Sequence, residues 1–338
     1  MKDKDIVYQL ERCGMIMNKR AKNILILAGL ATAAMHILNR IEYSRSTSRN
    51  ILSSTRNNPY KNNYYEWRFG KIRYTVRGKG TPILMIHDLT VGSSSYEFHR
   101  ITDELSKTHE VYCIDLIGYG MSDKPDMTYT NFLFVQLITD FIKNVIQRKT
   151  DIIAVGDSVP VAIMSCHNDS EIINKIVAIN PQSLFQLNQI PSKQTRILKF
   201  LMEVPILGTF IYNLHTSRAA FEKMFRKDYF YNPGSINESD LLAYTEAAHT
   251  SDHHSKNTYA SYVGRYMNAN IVHALKEVNN SIYIIMGENK RDSRTTAANY
   301  EYYNHAIESV FIRGAKHLVH LEKSRETLEH IKTFLAVL

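Results

Sequence analysis

The chain has 338 residues, 44% of them hydrophobic and 22% charged, which excludes a disordered polymer and suits one large domain or two ordinary ones. Its formal net charge is +8, and a basic balance draws either nucleic acid or an anionic membrane surface. No nucleic-acid motif accompanies Arg40, Arg45, Arg49, Arg56 and Lys61, so nucleic-acid binding is not expected. A membrane surface and a solvated linker both remain open for that run. Cys13, Cys113 and Cys166 cannot all pair and have no metal-ligand spacing, so neither a disulfide framework nor a metal site is expected.

Residues 1–40 read as a polar tail followed by an apolar helix. Ile24–Leu38 carries no charge, is rich in Leu, Ile and Ala, and is flanked by Lys19, Arg20 and Lys22. Its 15 residues fall short of the roughly 20 that span a bilayer, but flanking residues lengthen such a helix and basic ones snorkel to the interface. The expectation is a membrane-anchoring helix, with a cleaved signal peptide and a helix packed on the body as alternatives. The chain is expected to be membrane-associated through this helix, and otherwise cytoplasmic. Residues 41–63, rich in Ser, Asn, Arg and Lys, read as a basic linker.

From residue 64 to 182, strand, helix and turn signals alternate. A hairpin over Glu66–Val76 turns at Gly70, and the strand Pro82–Ile86 ends in His87-Asp88-Leu89. A helix over Tyr96–Ser106, the strand Val111–Leu116 and a helix over Asn131–Arg148 follow. In that last helix Phe134, Leu137, Ile138, Phe141 and Val145 recur at helical spacing. The strand Ile152–Val155, a helix and the strand Ile176–Ile179 complete this part. Such alternation gives a mainly parallel sheet covered on both faces, with its chemistry at the strands' C-terminal ends. Residues 183–279 are helical in pattern, as in Ile197, Leu198, Leu201 and Met202. Over 280–338 the alternation resumes, with the strands Ile282–Met286 and Ser309–Ile312 and a closing helix.

The stretch Gly156-Asp157-Ser158-Val159-Pro160 joins an apolar strand to a helix start. A serine on such a turn is lifted off the sheet, with a helix N-terminus behind it where an oxyanion forms. Ser158 is therefore the candidate nucleophile, with an ordinary helix cap as its bland reading. Pro160 stands where G-x-S-x-G has its second glycine.

Together with that turn, the strand-end His87, the block Asp115-Leu116-Ile117-Gly118-Tyr119-Gly120-Met121-Ser122-Asp123-Lys124-Pro125 and Gly314-Ala315-Lys316-His317 occur in a familiar order. From Tyr64 onward, the middle segment apart, the chain resembles the α/β-hydrolase family of lipases, esterases and C–C hydrolases. The resemblance implies an α/β fold with a helical cap at 183–279 roofing the strand ends. It implies an acyl-enzyme on Ser158, His317 as base and then acid, and backbone N–H groups of Leu89 and Val159 as the oxyanion hole. The third residue belongs after the strand Ile282–Met286, where the family position holds Lys290; Asp292 is the candidate and Glu288 the second. The substrate is then a small, hydrophobic acyl compound, and no cofactor or metal is implied. Asp88 replaces the family's glycine and must be turned away, paired or protonated to tolerate an oxyanion. With Pro160 and Lys290, it also motivates the alternative of a catalytically silent binding or sensing protein on the same fold. The histidines His249, His253 and His254, with Asp252, read as a polar helix face, and His320 as packing.

Overall fold

The computed structural model describes residues 19–47, 51–52, 61–250 and 254–336. Cys13, Arg49, Arg56, Asp252 and His253 lie outside them.

Eight strands form one sheet in the order β1-β2-β4-β3-β5-β6-β7-β8. They are β1 (Asn63–Trp67), β2 (Gly70–Arg77), β3 (Thr81–Ile86), β4 (His109–Ile114), β5 (Thr150–Val155), β6 (Ile173–Ile179), β7 (Ile282–Gly287) and β8 (Glu308–Ile312). The hairpin β1–β2 and the β2–β4 pair are antiparallel, and every pair from β4 to β8 is parallel. All of β5 is buried, which is why its last four residues, Ile152–Val155, read as an unbroken apolar run. Its residues still divide by the period of two. Ile152 and Ala154 join the core on one face, Ile153 and Val155 the core on the other.

The helices that matter below are α1 (Lys19–Thr47), α2 (Asn131–Phe141), α3 (Val159–Asn168), α4 (Lys193–Glu203), α5 (Leu207–Thr216), α6 (Arg218–Met224), α7 (Glu238–His249), α8 (Lys256–Val263), α9 (Ser293–Tyr303) and α10 (Ser324–Ala336). Helices α4 to α8 lie between β6 and β7 and carry their own core around Phe221, Phe225 and Tyr244.

Three expectations change. The apolar N-terminal helix does not end at residue 40 but runs to Thr47, so the first part of the expected linker is helical. Its C-terminal part is seated on the body: Asn39 Nδ2 donates to the Ile206 carbonyl at 3.2 Å, and Asn213 Nδ2 donates to Asn39 Oδ1 at 2.9 Å. The helix expected at Tyr96–Ser106 is instead a 3₁₀ turn at Ser95–Phe98 and one helical turn at Thr102–Leu105. Past Phe141, α2 loosens into a π turn at Ile142–Ile146, which Gln147 ends in the left-handed conformation.

Asp115, at the end of β4, organises the loops around it. Its carboxylate is buried, accepts N–H groups from Ser95 and Met121, and lies 3.5 Å from the buried Arg73 guanidinium. Asp115→Ala leaves that cation without its counter-charge. It is expected to lower stability by about 3–5 kcal/mol, read as an earlier urea midpoint with the slope unchanged.

Candidate active site

The ends of β3 and β5 are neighbours, so His87, Asp88 and Leu89 lie beside Gly156, Asp157 and Ser158. The ends of β6, β7 and β8 bring Asn180, Glu288 to Asp292 and His317 toward the same place. A cavity of about 940 Å³ opens there, with Gly156, Asp157, Asn180, Tyr229, Lys290 and His317 among its walls. A second cavity, about 1000 Å³, lies between α1 and the helical layer and contains none of these groups.

The elbow residue is Gly156, not Ser158. Gly156 follows β5 directly and has φ +58°, the left-handed turn that lifts a residue off the sheet. Ser158 lies two residues further on, fully buried, at the entry to α3. Its Oγ faces the Val155 carbonyl at 2.8 Å and the Ile86 carbonyl at 3.1 Å, and accepts the Val155 N–H. The hydroxyl is thus a plug that satisfies backbone groups beneath the turn.

Asp88 occupies the space a nucleophile's side chain normally takes. A Cβ on Gly156 would fall 2.4 Å from Asp88 Oδ1 and 2.5 Å from its carboxylate carbon. Asp88 Oδ1 accepts the N–H of Leu89 at 2.7 Å and of Asp157 at 2.8 Å. Its Oδ2 accepts His317 Nε2 at 2.7 Å and the Thr90 hydroxyl at 3.3 Å. The Leu89 N–H, expected in an oxyanion hole, is thus taken up by Asp88; the Val159 N–H goes to the Gly156 carbonyl, and Asp157 supplies the second donor to Asp88. The carboxylate expected to oppose an oxyanion is itself held where the oxyanion would sit.

No carboxylate completes a triad from β7. Asp292 is exposed, adopts φ 57° before α9 and lies 3.6 Å from Arg291. Glu288 pairs with Arg294 and Arg313. Lys290 turns inward, its ammonium on the carbonyls of Asn180 at 2.7 Å and Pro181 at 3.1 Å. Asn180 ties the loops together: it accepts the Gly287 N–H and donates to the carbonyls of Lys316 and His317.

Charge at this floor is tightly interdependent. Burial works against ionisation of Asp88, but the hydrogen bond and charge of His317, with the Asp157 and Leu89 N–H groups, hold it below the usual carboxylate range. Burial and the charge of Asp88 push Asp157 up to about 7, against the opposing pull of Lys290 and a hydrogen bond from Tyr262. Burial lowers Lys290 to about 8, although Asp157 and Asp88 both favour its charge. Behind Asp88, the buried Glu97 is raised to about 8 by burial and by the Asp88 charge; it accepts the Tyr244 hydroxyl and the Asp88 N–H. His320, also buried, stands 3.9 Å from Glu97 and is lowered to about 3, chiefly by burial.

A model of the alpha/beta hydrolase family matches residues 83–330. The chain belongs to that family. It is similar to 2-hydroxy-6-oxo-6-(2'-aminophenyl)hexa-2,4-dienoic acid hydrolase of Metapseudomonas resinovorans, at 28% identity over 33% of this chain. The match spans only 39% of that relative's length. Among solved structures, a serine hydrolase involved in carbazole degradation superposes with TM-score 0.68 at 18% identity, over 82% of this chain and 99% of its own. The epoxide hydrolase CorEH superposes with TM-score 0.66 at 16% identity, over 82% and 98%. These two likenesses show the fold.

Within this alpha/beta hydrolase, the elbow lies two residues before the expected Ser158. Small residues at Ala154 and Ser158, both buried against neighbouring backbone, flank Gly156 as glycines flank the nucleophile in G-x-S-x-G. That spacing was the available signal. Glu97 had none, because its role depends on folding the Ser95–Phe98 turn under Asp88.

Glu97 gives a signed test. Its folded value lies above the unfolded one, so its contribution is present at low pH and is lost as pH rises toward 8. Between pH 6.5 and about 8, where free histidine is largely neutral, wild type is expected to lose on the order of 1–2 kcal/mol from this group. Glu97→Gln, which keeps the neutral shape, is expected to flatten that slope in denaturant titrations.

Proposed function

We propose that the chain is a small-molecule hydrolase in which Asp88 replaces the serine nucleophile and His317 activates water. The contact that carries this reading is Asp88 Oδ2 at 2.7 Å from His317 Nε2, in the space Gly156 leaves open. The two N–H groups on Oδ1 add to it. Donors so placed stabilise the resting carboxylate and, once an ester has formed on Oδ2, the negative charge that returns to Oδ1 as the carboxyl carbon becomes tetrahedral.

The sequence of bonds follows. Asp88 Oδ2 attacks an sp³ carbon of the substrate, and the bond from that carbon to its leaving oxygen or halide breaks. A leaving oxygen takes its proton from Asp157, whose value near 7 keeps a protonated fraction at neutral pH. The Nε2 proton that His317 had given to Asp88 passes to Asp157, or leaves with a halide, and the freed nitrogen removes a proton from water, whose hydroxide adds to the Asp88 carboxyl carbon. The oxyanion on Oδ1 rests on the Leu89 and Asp157 N–H groups. Collapse expels the product alkoxide, which takes the proton from His317. The Asp88 carboxyl then gives its proton back to His317, so Asp88 is restored carrying one oxygen from water. Neither metal nor cofactor takes part. The likeness to an epoxide hydrolase makes strained cyclic ethers the first substrates to try.

A competing reading is ligand binding without turnover. Its support is that Asp88 is fully buried and both its oxygens are hydrogen-bonded. The apolar α1 supports, in addition, anchoring of the body to a membrane.

The test is a panel of epoxides, lactones, haloalkanes and esters in ¹⁸O-water, followed by mass analysis of the Asp88 peptide. Turnover with ¹⁸O in Asp88 is expected, retained in Ser158→Ala and lost in Asp88→Asn and His317→Ala. Turnover with unlabelled Asp88 removes the covalent step. Binding without turnover across the panel establishes the competing reading.

A further inference from the structure

Helix α4 exposes far more apolar surface than a water-facing helix needs. Of its 11 residues only Met202 is buried. Ile197, Leu198, Phe200 and Leu201 are exposed, Phe200 to 66% and Ile197 to 60%. Leu207 and Leu214 on α5 are exposed as well, and Ile190 precedes α4 at 78%. Helix α5 meets α4 at 98°. Exposed apolar side chains gathered on two adjoining helices mark an interaction site.

Its position selects the partner. Helix α1 is seated on the body through Asn39, which bonds Ile206 and Asn213, at the start and within α5. From that foot the apolar stretch Ile24–Leu38 rises for about 22 Å with its side chains almost wholly exposed. Whatever covers α1 therefore begins where α4 and α5 meet. The exposed Lys193 and Arg196 alternate with the apolar residues of α4, and Arg40 stands at the foot of α1. Apolar residues with interspersed basic ones suit a helix lying in the headgroup boundary of an anionic bilayer.

We propose that α4 and the adjoining face of α5 are a second membrane contact, lying in the surface of an anionic bilayer beside α1. The roof of the catalytic cavity then rests on lipid. Leu214 and His215 of α5 and Ala220, Lys223 and Met224 of α6 belong to the cavity wall, so its rim adjoins the docked face. The substrate class is accordingly a lipophilic compound partitioned into the bilayer, which reaches Asp88 without crossing bulk water. This surface rests on the anchoring reading of α1 for its orientation and is separately testable.

The full chain with Cys13→Ser receives single cysteines at Leu27, Ile197, Phe200 or Arg325, the last on α10. Cys113 and Cys166 are buried. Each variant carries an environment-sensitive fluorophore and is reconstituted in phosphatidylcholine–phosphatidylglycerol vesicles with acyl-chain-brominated lipid. Labels at Leu27, Ile197 and Phe200 are expected to be quenched at least about twofold, and the label at Arg325 hardly at all. Quenching at Leu27 with Ile197 and Phe200 no different from Arg325 overturns the cap contact and leaves the anchor standing. Quenching at Ile197 and Phe200 without Leu27 supports the cap contact and removes the anchor. Absence of quenching at all three overturns both.

Discussion

A carboxylate seated where two backbone N–H groups, a histidine and a glycine converge is the constraint that the rest of this site obeys. Asp88 fits only because residue 156 has no side chain; a Cβ there would lie 2.4 Å from its oxygen. Conversely, the turn at Gly156 presents the Asp157 N–H to Asp88 rather than to a substrate oxygen. The two positions define each other. Restoring a serine at 156 therefore requires removing Asp88 as well.

One ionised group at this depth governs its neighbours. Its charge contributes to raising Asp157 and Glu97 to about 7 and about 8, so protons are stored on both sides of it near neutral pH. Lys290 completes the balance from the β7 loop, and its presence accounts for the missing triad acid. The position supplies a cation toward Asp157 and Asp88 where the family supplies an anion toward histidine. The site is thus rearranged as a set, with the histidine's carboxylate partner moved from β7 to β3.

The helical layer joins this centre to α1. Asn39 connects α1 to α5, α5 lines the cavity, and the cavity floor is Gly156 and His317. Three short links separate the apolar helix from that floor. Helix α1 continues past Asn39 to Thr47, so the hydrogen bonds to Ile206 and Asn213 are made from within the helix.

By itself the sequence determined the architecture. The Ile152–Val155 part of β5 is a continuous apolar run because both faces are covered, and the alternation of strand and helix signals leaves a parallel sheet as the simple solution. The places of His317 and Leu89 just beyond strand ends were legible too, and so was the anomaly of Asp88 beside His87. What only the tertiary structure decided is the identity of the elbow residue. Ser158 and Gly156 differ by two positions, a distance smaller than the uncertainty of a strand end, and only the left-handed φ of Gly156 resolves them. The pairing of Asp88 with His317 joins residues 229 apart, and the removal of Asp292 to the surface follows from the path of one loop. Contacts of that kind depend on where strand ends meet in space, which local propensity does not encode.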